Sequence, residues 1–296
     1  MDETANRPWW RKWKPWAALA GLAGAIAVFL WLNASLPRLA LFWVFGLALG
    51  FVLQRSRFCF VSAVSNCFLF RDTRLLEGVL GGLFVATIGF ALVMYRLSPG
   101  ADVPPTTAIV TPFGWHLVLG GVIFGFGMLL AGGCIVGNLF RIGEGALSAV
   151  LAFLGVLAGL GALQFTWPWW WDSYISRLSP VWLPAKIGWI GAVALTLAVI
   201  AILFIIVRRA RDKSSATPVA AERMPLSSRL KGLGDAVFRK AWPLALGGVV
   251  LALINVLMFL VVDRPWTVTG ELMSWAQGLF NLLRLPPPQF NAVPGT

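Results

Sequence analysis

Charge is what this 296-residue chain has least of: Asp, Glu, Lys and Arg together make up 12% of it, against 58% hydrophobic residues, with a mean hydropathy of +0.80. So little charge cannot cover a soluble globule with a water-compatible surface, and the composition is that of a membrane protein. Histidine is nearly absent. The single His116 precedes an apolar run, has no histidine or carboxylate partner nearby in sequence, and reads as an interfacial structural residue. Cysteine is limited to Cys59, Cys67 and Cys134, an odd number without the paired spacing of a disulfide framework or a zinc ligand set. No nucleophile–base–acid set, phosphate loop or metal cluster is present, which argues against an enzyme and implies no cofactor. The net charge of +12 is not gathered into a basic-aromatic groove or a folded basic domain, so nucleic acid is not expected as a partner.

What is abundant is apolar length. A bilayer core about 30 Å thick takes roughly 20 apolar residues per helical span. Runs free or nearly free of charge occur at 16–33, 39–54, 75–95, 117–140, 145–166, 187–207 and 241–262, with a weaker one at 266–283 interrupted by Glu271. The run at 39–54 is short for a full crossing. Proline and glycine punctuate the intervals, as in Ser98-Pro-Gly100 and Thr111-Pro-Phe-Gly114. The expected fold class is an all-α polytopic membrane bundle with inverted repeats and short half-helices, its second repeat incomplete. Four regions are expected: a basic cytoplasmic tail at 1–15, a first transmembrane repeat unit at 16–207, a basic cytoplasmic linker at 208–240 and a partial second repeat at 241–296. No cleavage site is obvious after the first apolar run, so it is expected to stay as an anchored span.

Basic residues mark orientation. Arg7, Arg11, Lys12 and Lys14 lie in the tail, Arg55, Arg57, Arg71 and Arg74 between runs, and nine more between Arg208 and Lys240. Placing these three segments in the cytoplasm satisfies the positive-inside rule with simple alternation, and the N-terminus is then cytoplasmic. Segments 96–114 and 167–186 face outward. The second opens Trp167-Pro-Trp-Trp-Trp171, which suits an aromatic belt at headgroup level. Segment 208–240 reads as a solvated inside loop, with a polybasic contact to membrane lipid as the other reading.

Residues 41–62 can be laid faintly on 243–269, Arg57-Phe-Cys59 falling on Arg264-Pro-Trp266. The two copies would cross the membrane in opposite senses, as in inverted-repeat transporters. Nothing after Trp266 matches the Gly-Gly-Cys region.

Two cysteine motifs carry the chemistry. In Ala131-Gly132-Gly133-Cys134-Ile-Val-Gly137-Asn138 the paired glycines free the backbone, and broken backbone in hydrocarbon is tolerated only where protein or a cavity satisfies it. A glycine break ending the run from Leu117 points to two half-helices meeting near a substrate path, with amides at the break able to hold an anion and Cys134 facing it. Close helix packing is the alternative role of glycine here, and it is the reading for Gly120, Gly121, Gly125 and Gly127. Cys59 lies between Phe58 and Phe60 and follows Arg55 and Arg57. Those arginines fit two roles, attraction of an anion or a topology signal, and Cys59 fits a pathway thiol or a small buried apolar residue. Cys67, about two helical turns on, reads as packing. Glu77 and Glu144 are carboxylates near membrane depth, where charge is costly, and a pair with Arg141 accounts for Glu144.

At these residues the chain resembles the YeeE/YedE family of sulfur-compound transporters. The likeness rests on Leu53-Gln-Arg-Ser-Arg-Phe-Cys59-Phe, Phe70-Arg-Asp-Thr-Arg74, Gly125-Phe-Gly-Met-Leu-Leu-Ala-Gly-Gly-Cys134 and Leu139-Phe-Arg-Ile-Gly-Glu-Gly145, within about residues 40–270. It implies an inner-membrane permease for thiosulfate or a related small sulfur anion, with pore cysteines that contact the substrate's terminal sulfur. Carried over by motif, Cys59 and Cys134 are the pathway thiols, and Gly132, Gly133 and Arg57 complete the expected substrate-binding set. The resemblance also implies a TusA-like sulfur-carrier protein as a partner, and the incomplete second repeat suggests a second membrane chain. The alternative expectation is a non-transporting membrane subunit, or a scaffold holding such a carrier at 208–240.

Overall fold

The computed structural model describes residues 9–100, 102, 104, 110, 112–209, 242 and 244–282. The chain divides into two compact units, Met1–Leu49 and Gly50–Thr296. In the first, helix α1 (Trp9–Ser35) is followed by the start of α2 (Pro37–Ser56), and the Trp43 indole N–H donates to the Ala25 carbonyl at 3.1 Å. Helix α1 begins at Trp9, inside the stretch expected to be tail.

The second unit continues from α2 through α3 (Phe60–Phe70), α4 (Arg74–Leu97), α5 (Trp115–Leu130), α6 (Ile135–Gly143), α7 (Leu147–Ser173), a single 3₁₀ turn, α8 (Leu183–Arg209), α9 (Leu244–Val262) and α10 (Val268–Leu282). Pro112 and Pro180 form an isolated bridge, and no strand occurs among the described residues. Among the described residues, six stretches are long and apolar enough to cross a membrane: Pro37–Phe70, Arg74–Leu97, Trp115–Gly143, Leu147–Arg177, Leu183–Arg209 and Ala245–Val262. The protein is therefore an all-α polytopic membrane bundle. The run at 39–54 looked too short because it is only the first limb of a broken crossing, α2 followed by α3. The linker expected at 208–240 lies outside the described residues from 210 onward.

Helices α4 and α9 form the tightest seam. A Cβ added at Gly248 would lie 2.5 Å from the Gly78 carbonyl oxygen, and one at Gly82 would lie 2.7 Å from the Gly248 carbonyl oxygen. Lipid tails are as apolar as leucine, so helices in a bilayer associate through close backbone approach of this kind. Phe90 and Phe259 continue the seam edge to face, with centroids 5.7 Å apart. Helix α10 packs on α7, where Phe280 covers Gly161 and the Gln164 amide donates to the Met273 carbonyl at 3.4 Å. Helix α3 rests on α4, and α6 on α7.

The tryptophan-rich segment is helical. Helix α7 runs through Pro168 to Ser173, so Trp167–Trp171 belong to its last turns instead of to a loop. Helix α4 starts beneath a buried Thr73 whose hydroxyl donates to the Glu77 carboxylate at 2.8 Å. Glu77 therefore sits in a first helical turn, where the helix dipole favours negative charge.

Candidate functional site

Three membrane helices break in the same way. Each long helix ends, a residue at the first or second position beyond it takes a left-handed conformation, two to four residues run on, and a shorter helix starts. The left-handed residues are Arg57 after α2 (φ 47°), Gly132 after α5 (φ 65°) and Asp263 after α9 (φ 58°). Glycine adopts this region freely, whereas arginine and aspartate do so at a cost of order 1–3 kcal/mol and stay there only where the surroundings enforce it. At the first two breaks the residue capping the new helix is a cysteine: Cys59 caps α3 and Cys134 caps α6.

The two thiols, 75 positions apart in sequence, meet. Cys59 Sγ donates to Cys134 Sγ at 3.8 Å, and Cys134 Sγ also accepts the backbone N–H of Gly137 at 3.2 Å. Cys59 is buried and Cys134 half-buried. Gly137 makes the meeting sterically possible, because a Cβ there would stand 2.8 Å from Cys59 Sγ and 3.4 Å from Cys134 Sγ. Either thiol can donate to the other, so the pair keeps one S–H as a donor for a ligand.

The backbone of the glycine break is held by side chains of α6. Arg141 donates to the Gly132 carbonyl at 2.9 Å, and the fully buried Asn138 donates to the Gly133 carbonyl at 3.4 Å. The expected Arg141–Glu144 pair is thus not formed. Arg141 reaches back to a carbonyl released where α5 ends, and Glu144 lies 4.0 Å from Arg57 instead. That Arg57 side chain is 77% exposed.

Cys134 opens on a cavity of about 510 Å³, lined also by Phe58 and Phe60 around the first break, by α4 and α5, and by Asn255, Trp266 and Thr269 around the third. The volume falls within the ~300–1,000 Å³ usual for small-ligand sites. The walls are overwhelmingly apolar, so the few polar groups that reach the cavity decide what it binds. Of the five residues expected from sequence, Cys59 and Cys134 are brought together, and Gly132 and Gly133 form the turn that presents Cys134. Arg57 lies in the turn before Cys59 and is not among the cavity-lining residues. Cys67 is half-buried on α3 as a free thiol. Among the described residues no three His, Cys, Asp or Glu side chains gather as metal ligands would. Gly137 and Asn138 stand in the second cysteine motif without an expected role of their own, and Asn255 stands in neither motif. Asn255 did leave a signal, as the one polar side chain in the run Leu244–Val262.

A family model described as "Sulphur transport" matches residues 55–288. Over 147 residues, 49% of this chain and 33% of the relative, it is 30% identical to the probable transporter YedE of Escherichia coli K12. It is 36% identical over 109 residues to the thiosulfate transporter TsuA of the same organism, covering 36% of this chain and 29% of TsuA. With the thiosulfate transporter TsuA of Spirochaeta thermophila the identity is 35% over 140 residues, 45% of this chain and 38% of that protein. The chain spans about a third of the length of these relatives.

Proposed function

This chain belongs to the sulphur transport family, and on that premise we propose that it carries a small sulfur-containing anion, thiosulfate first, across the inner membrane past Cys134 and Cys59. The observation that carries the proposal is the thiol pair, 3.8 Å apart at the caps of two half-helices inside membrane spans, with one thiol opening on the cavity. Thiosulfate has a soft terminal sulfur and three hard oxygens. The Cys134 S–H is a weak donor suited to that sulfur, and Cys59 stands within one exchange of the same bond. Neutral thiols favour passage over capture, since a fixed charge would hold what it binds. Helices α3 and α6 both direct their positive dipole ends to the pair and moderate the cost of bringing in an anion. In this reading Gly132 and Gly133 shape the turn, Arg57 attracts the anion outside the cavity, and the basic segments, with the N-terminus, face the cytoplasm.

The test is uptake of labelled thiosulfate by cells expressing Cys59→Ser or Cys134→Ser at equal membrane abundance. Uptake at or near background is expected from both, and undiminished uptake refutes the assigned roles.

One observation favours a second reading, in which the chain works with another membrane polypeptide. Helix α5 has no buried residue, and Cβ atoms at Gly120, Gly121, Gly125 and Gly127 would meet nothing within 4 Å. Such a small-residue face is suited to a neighbouring helix. Purified chain in liposomes separates the two: thiosulfate flux by this chain alone supports the first reading, and flux only after a second membrane chain is added supports the other. A TusA-like carrier would meet segment 208–240, and its capture by the chain is measured separately.

A further inference from the structure

We infer that Asn255 is the oxygen-facing pole of the cavity, the residue by which a sulfur oxyanion is told apart from a bare sulfur anion. The inference deepens the reading above and rests on it for the class of ligand.

Asn255 is the one polar side chain in the nineteen residues of α9, LALGGVVLALINVLMFLVV. A carboxamide within an apolar membrane helix is costly unless its groups are bonded, and such residues in bilayer spans usually serve a function. Half of the amide is accounted for. Its Oδ1 accepts the backbone N–H of Trp266 at 2.8 Å, across the break between α9 and α10. Because that partner is a donor, the oxygen must face it, which fixes the flip of the amide and leaves Nδ2 on the other side. Nδ2, with two hydrogens to donate, finds no acceptor among the described residues. Asn255 lines the cavity that Cys134 opens on, beside Leu251, Ala252 and Val268, which offer no side-chain acceptor, and the Thr269 hydroxyl on the same wall makes no bond to it.

The cavity thus has two chemically different poles. One is the thiol of Cys134, matched to soft sulfur. The other is an oriented N–H donor, matched to a hard oxygen. A hydrosulfide ion satisfies only the first, sulfate only the second, and thiosulfate both. The Trp266 bond also serves as a brace: it holds the amide in the donor orientation at no further cost when the ligand arrives.

The measurement is direct binding to the purified full chain in detergent, by calorimetry, with thiosulfate, hydrosulfide and sulfate as separate probes. Asn255→Asp keeps the acceptor for Trp266 N–H and removes both donors, and Asn255→Leu removes acceptor and donors together. A hydrogen bond to a charged group contributes about 1.5–3 kcal/mol, so thiosulfate affinity should fall about tenfold or more in both variants. Hydrosulfide affinity should stay within about twofold of wild type in Asn255→Leu, which adds no charge, while Cys134→Ser should weaken both anions. Parallel loss of thiosulfate and hydrosulfide in Asn255→Leu would make Asn255 a structural brace only and overturn the inference. Unchanged thiosulfate affinity, or none in wild type, would overturn it as well. Intact, Asn255-dependent binding without flux in liposomes would defeat the transport reading and leave this one standing.

Discussion

Replacing Gly137 with alanine tests the thiol pair at its tightest point. Two effects of opposite sign compete. Alanine is favoured over glycine inside a helix by up to about 1 kcal/mol, and Gly137 is the third residue of α6, so propensity alone predicts stabilisation. The new methyl, however, would sit 2.8 Å from Cys59 Sγ, 3.4 Å from Cys134 Sγ and 3.5 Å from Cys59 Cβ. The first distance is well inside van der Waals contact. Cys59 is 7% exposed, so its sulfur has little room to retreat except by rotating away from Cys134. Overpacking of this kind typically costs about 1–3 kcal/mol, which outweighs the propensity gain. We expect Gly137→Ala to melt lower in detergent and to lose thiosulfate uptake. The double variant Gly137→Ala/Cys59→Ala removes the offending sulfur and leaves the milder contacts, so it should recover most of the stability while uptake stays lost. Two residues in direct contact should show this non-additivity. A Gly137→Ala protein that melts at or above wild type with full uptake would refute the close approach of α6 to the thiols.

Mild oxidation should join Cys59 to Cys134, since their sulfurs need to close only from 3.8 Å to bonding distance. Thiol titration in denaturant would then fall from three groups to one, and Cys59→Ser or Cys134→Ser should prevent the change; three persistent thiols would place the pair further apart. Arg57→Gln should leave the melting temperature almost unchanged, because an exposed 4.0 Å pair with Glu144 contributes about 0–1 kcal/mol. Its expected effect is a higher KM for thiosulfate at low ionic strength that disappears at high salt. A salt-independent loss of kcat would instead put Arg57 inside the pathway.

The apolar runs were legible because bilayer thickness dictates their length, and each reappears as helix, with 117–140 split into α5 and α6. The break at Gly132-Gly133 was legible because the glycine pair stands directly before a cysteine near the end of its run, whereas the pairs Gly81-Gly82, Gly120-Gly121 and Gly247-Gly248 stay helical. The break at Arg57 was not: Gln54-Arg-Ser-Arg57 is a sequence a helix tolerates, and only tertiary surroundings can hold an arginine at φ 47°. Cys59 and Cys134 were singled out separately, but nothing in a single sequence brings together two residues 75 positions apart. The Arg141–Glu144 expectation failed for a local reason. Residues three apart on a helix are natural partners, but a helix end offers a competing carbonyl, here Gly132, and Arg141 took it. Asn255 carries neither charge nor thiol, and an uncharged amide in an apolar run stands out only once its place beside the cavity is known.

The distribution of charge around the site bears on turnover. Arg57 stands outside the cavity, 77% exposed, and the walls within carry thiol and amide instead of a cation. A buried cation would bind the anion harder, but passage requires release on the far side, and binding that is uniformly tighter does not speed it. Val79 of α4 lines the cavity and makes no polar contact that would be lost on substitution. Val79→Arg should therefore lower the apparent Kd for thiosulfate and reduce the maximal rate of uptake together, by about tenfold in rate if release is slowed by roughly 1.4 kcal/mol. Arginine remains charged in such a setting, so the effect should persist across the pH range in which the membrane is intact. Initial-rate uptake against thiosulfate concentration, at equal protein abundance, reads both parameters. Tighter binding with an unchanged or higher maximal rate would mean that release does not limit transport, and the argument that uncharged poles serve throughput would fail.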